Sequence, residues 1–483
     1  MLKLQSLLQR SWIIQGGMGV WVSNWMLARE VSLLGELGVV SGTALHIVFS
    51  RTLQLGDPGG HLRRVVDAFP YPEMAMNIFN QYFIPGGKGE KEKFKEVEKF
   101  SLSPGRHLVE LLIVSNFAEV FLAKEGHAGF IGINFLEKIQ PPHIYSIYGA
   151  MLAGVDFIIS GAGMPIQFPL IMEKLAVGDE VEYKLDVTGA APGEFVMRFN
   201  PKDFFGEAGI KHLDVPDFLP IISSTVLARR MAKELKGKIS AFIIENYRAA
   251  GHNAPPRNKD LINERGEPIY GEKDKVDIEV VRALGIPFFL AGSYAHPEKF
   301  KEAVSVGAVG IQAGSIFALC NKSGLRPKLR ADMIALAFNN ELDVFTDRRF
   351  SVTGYPFKVA RVQGTLSEES VYNERTRVCD LGILREMVKA GDGEVMYRCP
   401  GGPVDAYLQK GGKIEETVKR GCLCNCLTTN VGFLQVRSEQ YCELPLATIG
   451  DDVSFIRRLI TSPNGNYGPK EAIDYIRGNN RGE

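Results

Sequence analysis

The chain has 483 residues, 45% of them apolar and 23% charged, with 56 Lys+Arg against 56 Asp+Glu. A chain of this length buries a large core without staples, which excludes disordered and disulfide-scaffold classes. Zero net charge with no basic stripe excludes a dedicated nucleic-acid binder. No run reaches the roughly 18 apolar residues of a membrane span; the best stretch, Val109 to Ala123, is interrupted by Glu110 and Glu119. Lys3 and Arg10 are not followed by a long apolar region or a cleavage site, so a cytoplasmic protein is expected. The seven cysteines, an odd number, fit reduced thiols. Six of them lie beyond residue 378. Many of the 51 glycines stand directly after short apolar runs, the place for tight strand-to-loop turns near a ligand.

In chain order, the runs that read as strands are Trp12–Gln15, Gly38–Ser41, Phe130–Asn134, Asp156–Ser160, Leu219–Ser223, Ser240–Glu245, Pro287–Ala291 and Val309–Ala313. Helical periods fill several intervals: Thr225–Leu235, Val276–Leu284 and Pro297–Val306. Alternation of this kind demands crossovers and a parallel sheet buried on both faces. Eight strands predict a (β/α)8 TIM barrel over residues 1–325. Two intervals are too long for plain loops. Residues 52–129 hold Pro/Gly turns and a Lys/Glu run, Lys88 to Lys99, that reads as a solvated helix. Residues 178–215 alternate on both sides of Gly189–Gly193 and predict an inserted β-hairpin. A loop over His252–Lys275 is rich in Pro, Gly and charge, as lids and subunit contacts are. Beyond residue 325 the βα rhythm stops, and 326–483 reads as a mainly helical extension, with helices at Leu329–Phe338 and Ser454–Leu459.

Four constellations follow strand ends. Gln15-Gly16-Gly17-Met18-Gly19 lets backbone amides approach a flat ligand, although a plain tight turn has the same composition. Ala291-Gly292-Ser293 and Gln312-Ala313-Gly314-Ser315 follow strands seven and eight, where barrels of this kind often bind phosphate. Glycine amides and hydroxyls supply the donors there without a Lys or Arg. Glu245 to His252 runs off strand six, and His252 is the candidate general base, weighed against a structural hydrogen-bonding role. Ser160-Gly161-Ala162-Gly163-Met164-Pro165 offers a second backbone wall or a helix-starting turn, and Asn134 must find polar partners at the end of a buried strand.

These pieces, in this order, resemble the nitronate monooxygenase (2-nitropropane dioxygenase) family of FMN-dependent barrels and its relatives, the FMN-dependent enoyl reductases of fatty-acid and polyunsaturated-lipid synthesis. The resemblance rests on Ile13 to Gly19, Gly132 to Phe135, Gly161 to Pro165, Ala250-Gly251-His252, Ala291 to Ser293 and Gly310 to Ser315, over roughly the first two-thirds of the chain. It implies an FMN cofactor. Gly292, Ser293, Gly314 and Ser315 would hold its phosphate, Gly17 and Met18 would lie against the ring system, and Asn134 would hydrogen-bond it. Gly161, Ala291 and Gln312 belong to the same cofactor-binding set, and His252 would be the catalytic residue. Tyr247 and Arg248 depart from the family pattern, which leaves substrate identity open, and Ser293 replaces a glycine.

The resemblance implies an oxidoreductase that turns alkyl nitronates into carbonyl compounds and nitrite. The alternatives are an enoyl-thioester reductase using NAD(P)H, with an acyl carrier protein as partner, and a non-catalytic flavin-binding scaffold. The extension leans toward the enoyl reductases. A small-molecule substrate and a homo-oligomer are expected, with no nucleic acid and no membrane partner. Cys422, Cys424 and Cys426, with Cys399 upstream, could bind zinc or an iron–sulfur centre, but they lack the Cys-x2-Cys spacing of structural zinc sites; reduced buried cysteines are the better reading, and no metal is expected.

Overall fold

The computed structural model describes residues 8–206, 209–437 and 441–479; Lys3 lies outside them. Eight strands carry the fold: β1 (Trp12–Gln15), β2 (Gly38–Ser41), β3 (Ile131–Leu136), β4 (Phe157–Gly161), β5 (Asp217–Ile222), β6 (Phe242–Glu245), β7 (Phe288–Ala291) and β8 (Gly310–Ala313). They pair in parallel in the order β1-β8-β7-β6-β5-β4-β3-β2. The two ends meet: Gln15 N–H donates to Leu37 O at 3.0 Å and Leu37 N–H to Ile13 O at 3.2 Å. The sheet is therefore a closed barrel.

Closure explains why the strands read as unbroken apolar runs. Trp12, Ile14, Val39, Phe157, Ile159, Leu219, Ile243 and Phe289 form one buried cluster inside the barrel. Their neighbours in sequence, among them Ile13, Val40, Ile158 and Phe288, pack outward in the larger core with the helices.

The inserted hairpin pairs Val181–Lys184 with Val196–Phe199, and its inward residues include the fully buried Tyr183 and Phe199. The segment 52–129 contains helices His61–Ala68, Pro72–Tyr82 and Arg106–Lys124. The Lys88–Lys99 run is not a helix. Its amides are committed to distant acceptors instead: Lys88 N–H to Gln54 O at 2.7 Å, Lys95 N–H to Gln54 Oε1 at 2.6 Å and Phe94 N–H to Gln435 Oε1 at 2.8 Å. Gln435 Nε2 returns a bond to Phe94 O, and the Phe94 ring is buried. Tertiary hydrogen bonds override the charge pattern.

The extension holds helices Pro327–Asn339, Leu423–Asn430 and Pro469–Arg477. It also carries two antiparallel hairpins, Val344–Asp347 with Phe357–Ala360 and Glu386–Lys389 with Val395–Arg398, within an extension expected to be mainly helical. These short strands lack long apolar alternation, so the sequence does not announce them. Among the described residues, no helix is long and apolar enough to cross a membrane.

Barrel closure yields a test. A Cβ on Gly310 would lie 1.9 Å from Trp12 O across the β1–β8 seam. Gly310→Ala is expected to destabilise the protein by about 3 kcal/mol or more, read by chemical denaturation.

Candidate active site

The C-terminal ends of the strands open onto three adjoining cavities that all share Glu245. The central one, about 220 Å³, lies between the barrel mouth and the extension. Gly17, Met18, Asn134, Gly161 and His252 form its barrel side, and Phe357, Ile383, Leu384, Leu423, Leu427 and Ile449 form much of its roof. A narrower cavity of about 100 Å³ continues from it past Gly17, Met18 and Ser315 to Ala291, Gly292, Ser293, Gln312 and Gly314. Every residue singled out in the sequence as cofactor-binding thus lines one of two connected spaces.

Local conformation suits this arrangement. Gly292 and Ser293 are consecutive left-handed residues, with φ of 91° and 62°, which turns the chain sharply off β7. Gly17 is packed so closely that a Cβ would lie 2.3 Å from Asn134 Cβ. Asn134 Nδ2 donates to Gly17 O at 3.2 Å, while its Oδ1 is buried with no partner. Gln312 Oε1 is likewise buried and unpaired. Two orphaned acceptors in a cavity are a cost unless a ligand supplies donors.

The narrow end was expected to need no cation, yet Arg248 lines it. Asp452 lines it too. His296 Nε2 hydrogen-bonds its carboxylate at 3.0 Å and holds the carboxyl well below its usual range. Ser315 Oγ accepts the Gly450 N–H at 3.0 Å, so the roof is bonded to the β8 turn. The other departure, Tyr247, stacks on Tyr270 with ring centroids 4.2 Å apart and belongs to the packing of the 252–275 loop.

His252 does not sit at the strand end; β6 stops at Glu245 and His252 lies further along the loop. The extension holds it there. Phe357 pairs with it as an isolated bridge, Lys358 N–H donates to Gly251 O at 2.9 Å, and Asn253 N–H donates to Pro356 O at 2.9 Å. Gly251 N–H donates to Thr448 Oγ1 at 2.9 Å. The imidazole Nε2 is 2.8 Å from Ser351 Oγ, and the ring meets Phe357 edge-on. Burial lowers its pKa to about 4, so it is neutral at physiological pH.

Glu245 was passed over as a site residue. Burial raises its pKa to about 7, and it stands where all three cavities meet. Its position as the last residue of a buried strand was the available signal. A third cavity, about 470 Å³, leads outward past His252 to Lys138, Gln140 and Asp186.

No protein-family model matches the chain, and no curated protein matches it. Among solved structures it is similar to FabK from Thermotoga maritima, at 16% identity, 75% coverage of each chain and a TM-score of 0.40. It is similar to nitroalkane oxidase from Streptomyces ansochromogenes at 14% identity, over 74% of this chain and 78% of that one, TM-score 0.38. The enoyl reductase domain of MlnA from Bacillus amyloliquefaciens matches at 14% identity, over 76% and 66%, TM-score 0.37. Likenesses this distant carry no assignment, and the site is argued from its own residues.

Two outcomes follow from the geometry. Between pH 4.5 and 7 the folded protein keeps a proton on Glu245 that the unfolded chain has released, so stability falls as pH rises through this window. Glu245→Gln is expected to remove that part of the decline, up to about 3 kcal/mol, in denaturation curves at stepped pH. Gly17→Ala pushes Asn134 aside and is expected to destabilise the protein by about 1–3 kcal/mol, read by chemical denaturation.

Proposed function

We propose that the protein is an FMN-dependent oxidoreductase acting on an uncharged, apolar acyl substrate, best described as an enoyl thioester reduced at the expense of NAD(P)H. The observation that supports a flavin is the pair of connected cavities, one walled by Gly and Ser turns, Arg248 and Gln312 with its unpaired oxygen, the other edged by Asn134 with its unpaired oxygen. In this reading Gly292, Ser293, Gly314, Ser315 and Arg248 hold the phosphate, and Gly17, Met18, Asn134, Gly161, Ala291 and Gln312 hold the remainder. When bound, FMN supplies two-electron exchange between donor and substrate.

The chain's own residues do the rest. The roof of Phe357, Ile383, Leu384, Leu423 and Leu427 excludes water and gives an acyl chain an apolar bed. Among the described residues lining this cavity none is Lys or Arg, and His252 is neutral. A neutral substrate suits such a lining better than an anion. His252, oriented by Ser351, hydrogen-bonds the thioester carbonyl. Glu245, near half-protonated at neutral pH, gives the proton that the reduced alkene takes up.

Oxidation of a nitronate is the second reading, and Lys138 in the outer cavity favours it by offering an anion one positive charge on the way to His252. Anaerobic flavin bleaching by NADH, NADPH and an alkyl nitronate, in parallel, separates the two. Bleaching by a nicotinamide and re-oxidation by an enoyl thioester is the expected result. Bleaching by the nitronate alone, with nitrite released in air, overturns the enoyl reading; FMN that no donor reduces marks a scaffold. His252→Ala is expected to lower kcat/KM by about 100-fold while FMN stays bound.

A further inference from the structure

The cysteines of the extension were set aside above because their spacing in sequence fits no zinc pattern. Their positions in the fold are another matter. Cys379, Cys399, Cys422 and Cys424 come from three separate segments and line one small cavity in the roof, together with Leu384 and Arg385. All four are free thiols. They converge as two pairs, Cys379 beside Cys399 and Cys422 beside Cys424. The pairs sense each other electrostatically, Cys424 interacting with both Cys399 and Cys379. The Cys-Pro-Gly-Gly turn is pressed close, for a Cβ on Gly402 would lie 3.2 Å from Cys379 Cβ.

The surroundings suit thiolates. Arg385 is electrostatically coupled to Cys379, Cys424 and Cys399, and Lys99 acts on Cys379. Asn425 Nδ2 donates to Cys422 Sγ at 3.4 Å. Cys426 is turned away, its Sγ directed at Leu423 O at 3.7 Å.

We propose that Cys379, Cys399, Cys422 and Cys424 are the four ligands of an iron–sulfur centre built into the roof of the active site. Two thiolates for each of two irons is the donor set of a binuclear cluster. A single zinc ion needs its donors around one point, and among the described residues no three His, Cys, Asp or Glu side chains make such a group. Two disulfides would leave the Arg385 guanidinium facing uncharged sulfur, whereas a thiolate-bound cluster gives it a counter-charge. Cys424, Leu384 and Leu423 line both this cavity and the central one, so the centre shares a wall with the substrate space. The inference rests on the sulfur cluster and stands apart from the flavin reading.

The test uses the full chain produced with ample iron and isolated without oxygen. Iron, zinc and acid-labile sulfide are measured per chain. About two irons and two sulfides are expected for the paired arrangement. Cys399→Ser and Cys424→Ser should each lose most of the iron and sulfide, and Cys426→Ser and Cys320→Ser should keep both. The labile sulfide of the unmutated protein is read independently of how well any variant folds. Zinc without sulfide, no metal at all, or disulfides among these four residues by mass spectrometry of the untreated protein would each overturn the proposal.

Discussion

The site depends on a short backbone seam between the barrel and the extension. Gly251, His252 and Asn253 leave β6 on a long loop and are caught by Pro356, Phe357 and Lys358, edge to edge. The seam is reinforced from the side: Lys358 Nζ, itself buried, bonds Thr346 Oγ1 at 2.7 Å and pairs with Asp451 at 2.5 Å. A loop His has many rotamers and backbone states to choose among; these bonds leave it one. The barrel supplies the floor of the pocket, but the position of its imidazole is set by residues a hundred positions further along the chain.

The same division organises polarity. The end near β7 and β8 is made of small residues, hydroxyls, Arg248 and the hydrogen-bonded pair of Asp452 and His296. The centre is apolar on the roof side. Glu245 stands at the junction with a pKa lifted to about 7 by burial alone. A carboxyl lifted this far is balanced between its two forms near neutral pH.

Much of the barrel was legible in sequence because its physics is local and repetitive. Continuous apolar runs ended by Gly gave β1, β2, β7 and β8 nearly to the residue, and the turns after them fall where the cavities are. What was not legible is what depends on partners far away in the chain. The Lys88–Lys99 run has helical charge spacing, and only Gln54 and Gln435 make it extended. The hairpins of the extension are held by segments far away in the chain, Phe357 bridging to His252 and Met387 O accepting the Thr188 N–H of the inserted segment at 3.0 Å. The pairing of Cys379 with Cys399 crosses a hairpin that no spacing rule encodes. Glu245 was in plain view, but a lone Glu at a strand end acquires meaning only from what encloses it.

The bond between Gly450 and Ser315 has a directional consequence. A hydroxyl carries one proton, and an oxygen that receives an N–H from one side points its own proton elsewhere. By occupying one of the two acceptor positions on Ser315, Gly450 leaves that hydroxyl its proton and a single acceptor position for the space beside Gly314. The roof therefore biases a hydrogen bond on the floor: a distant glycine amide leaves the Ser315 hydroxyl better placed to donate than to accept.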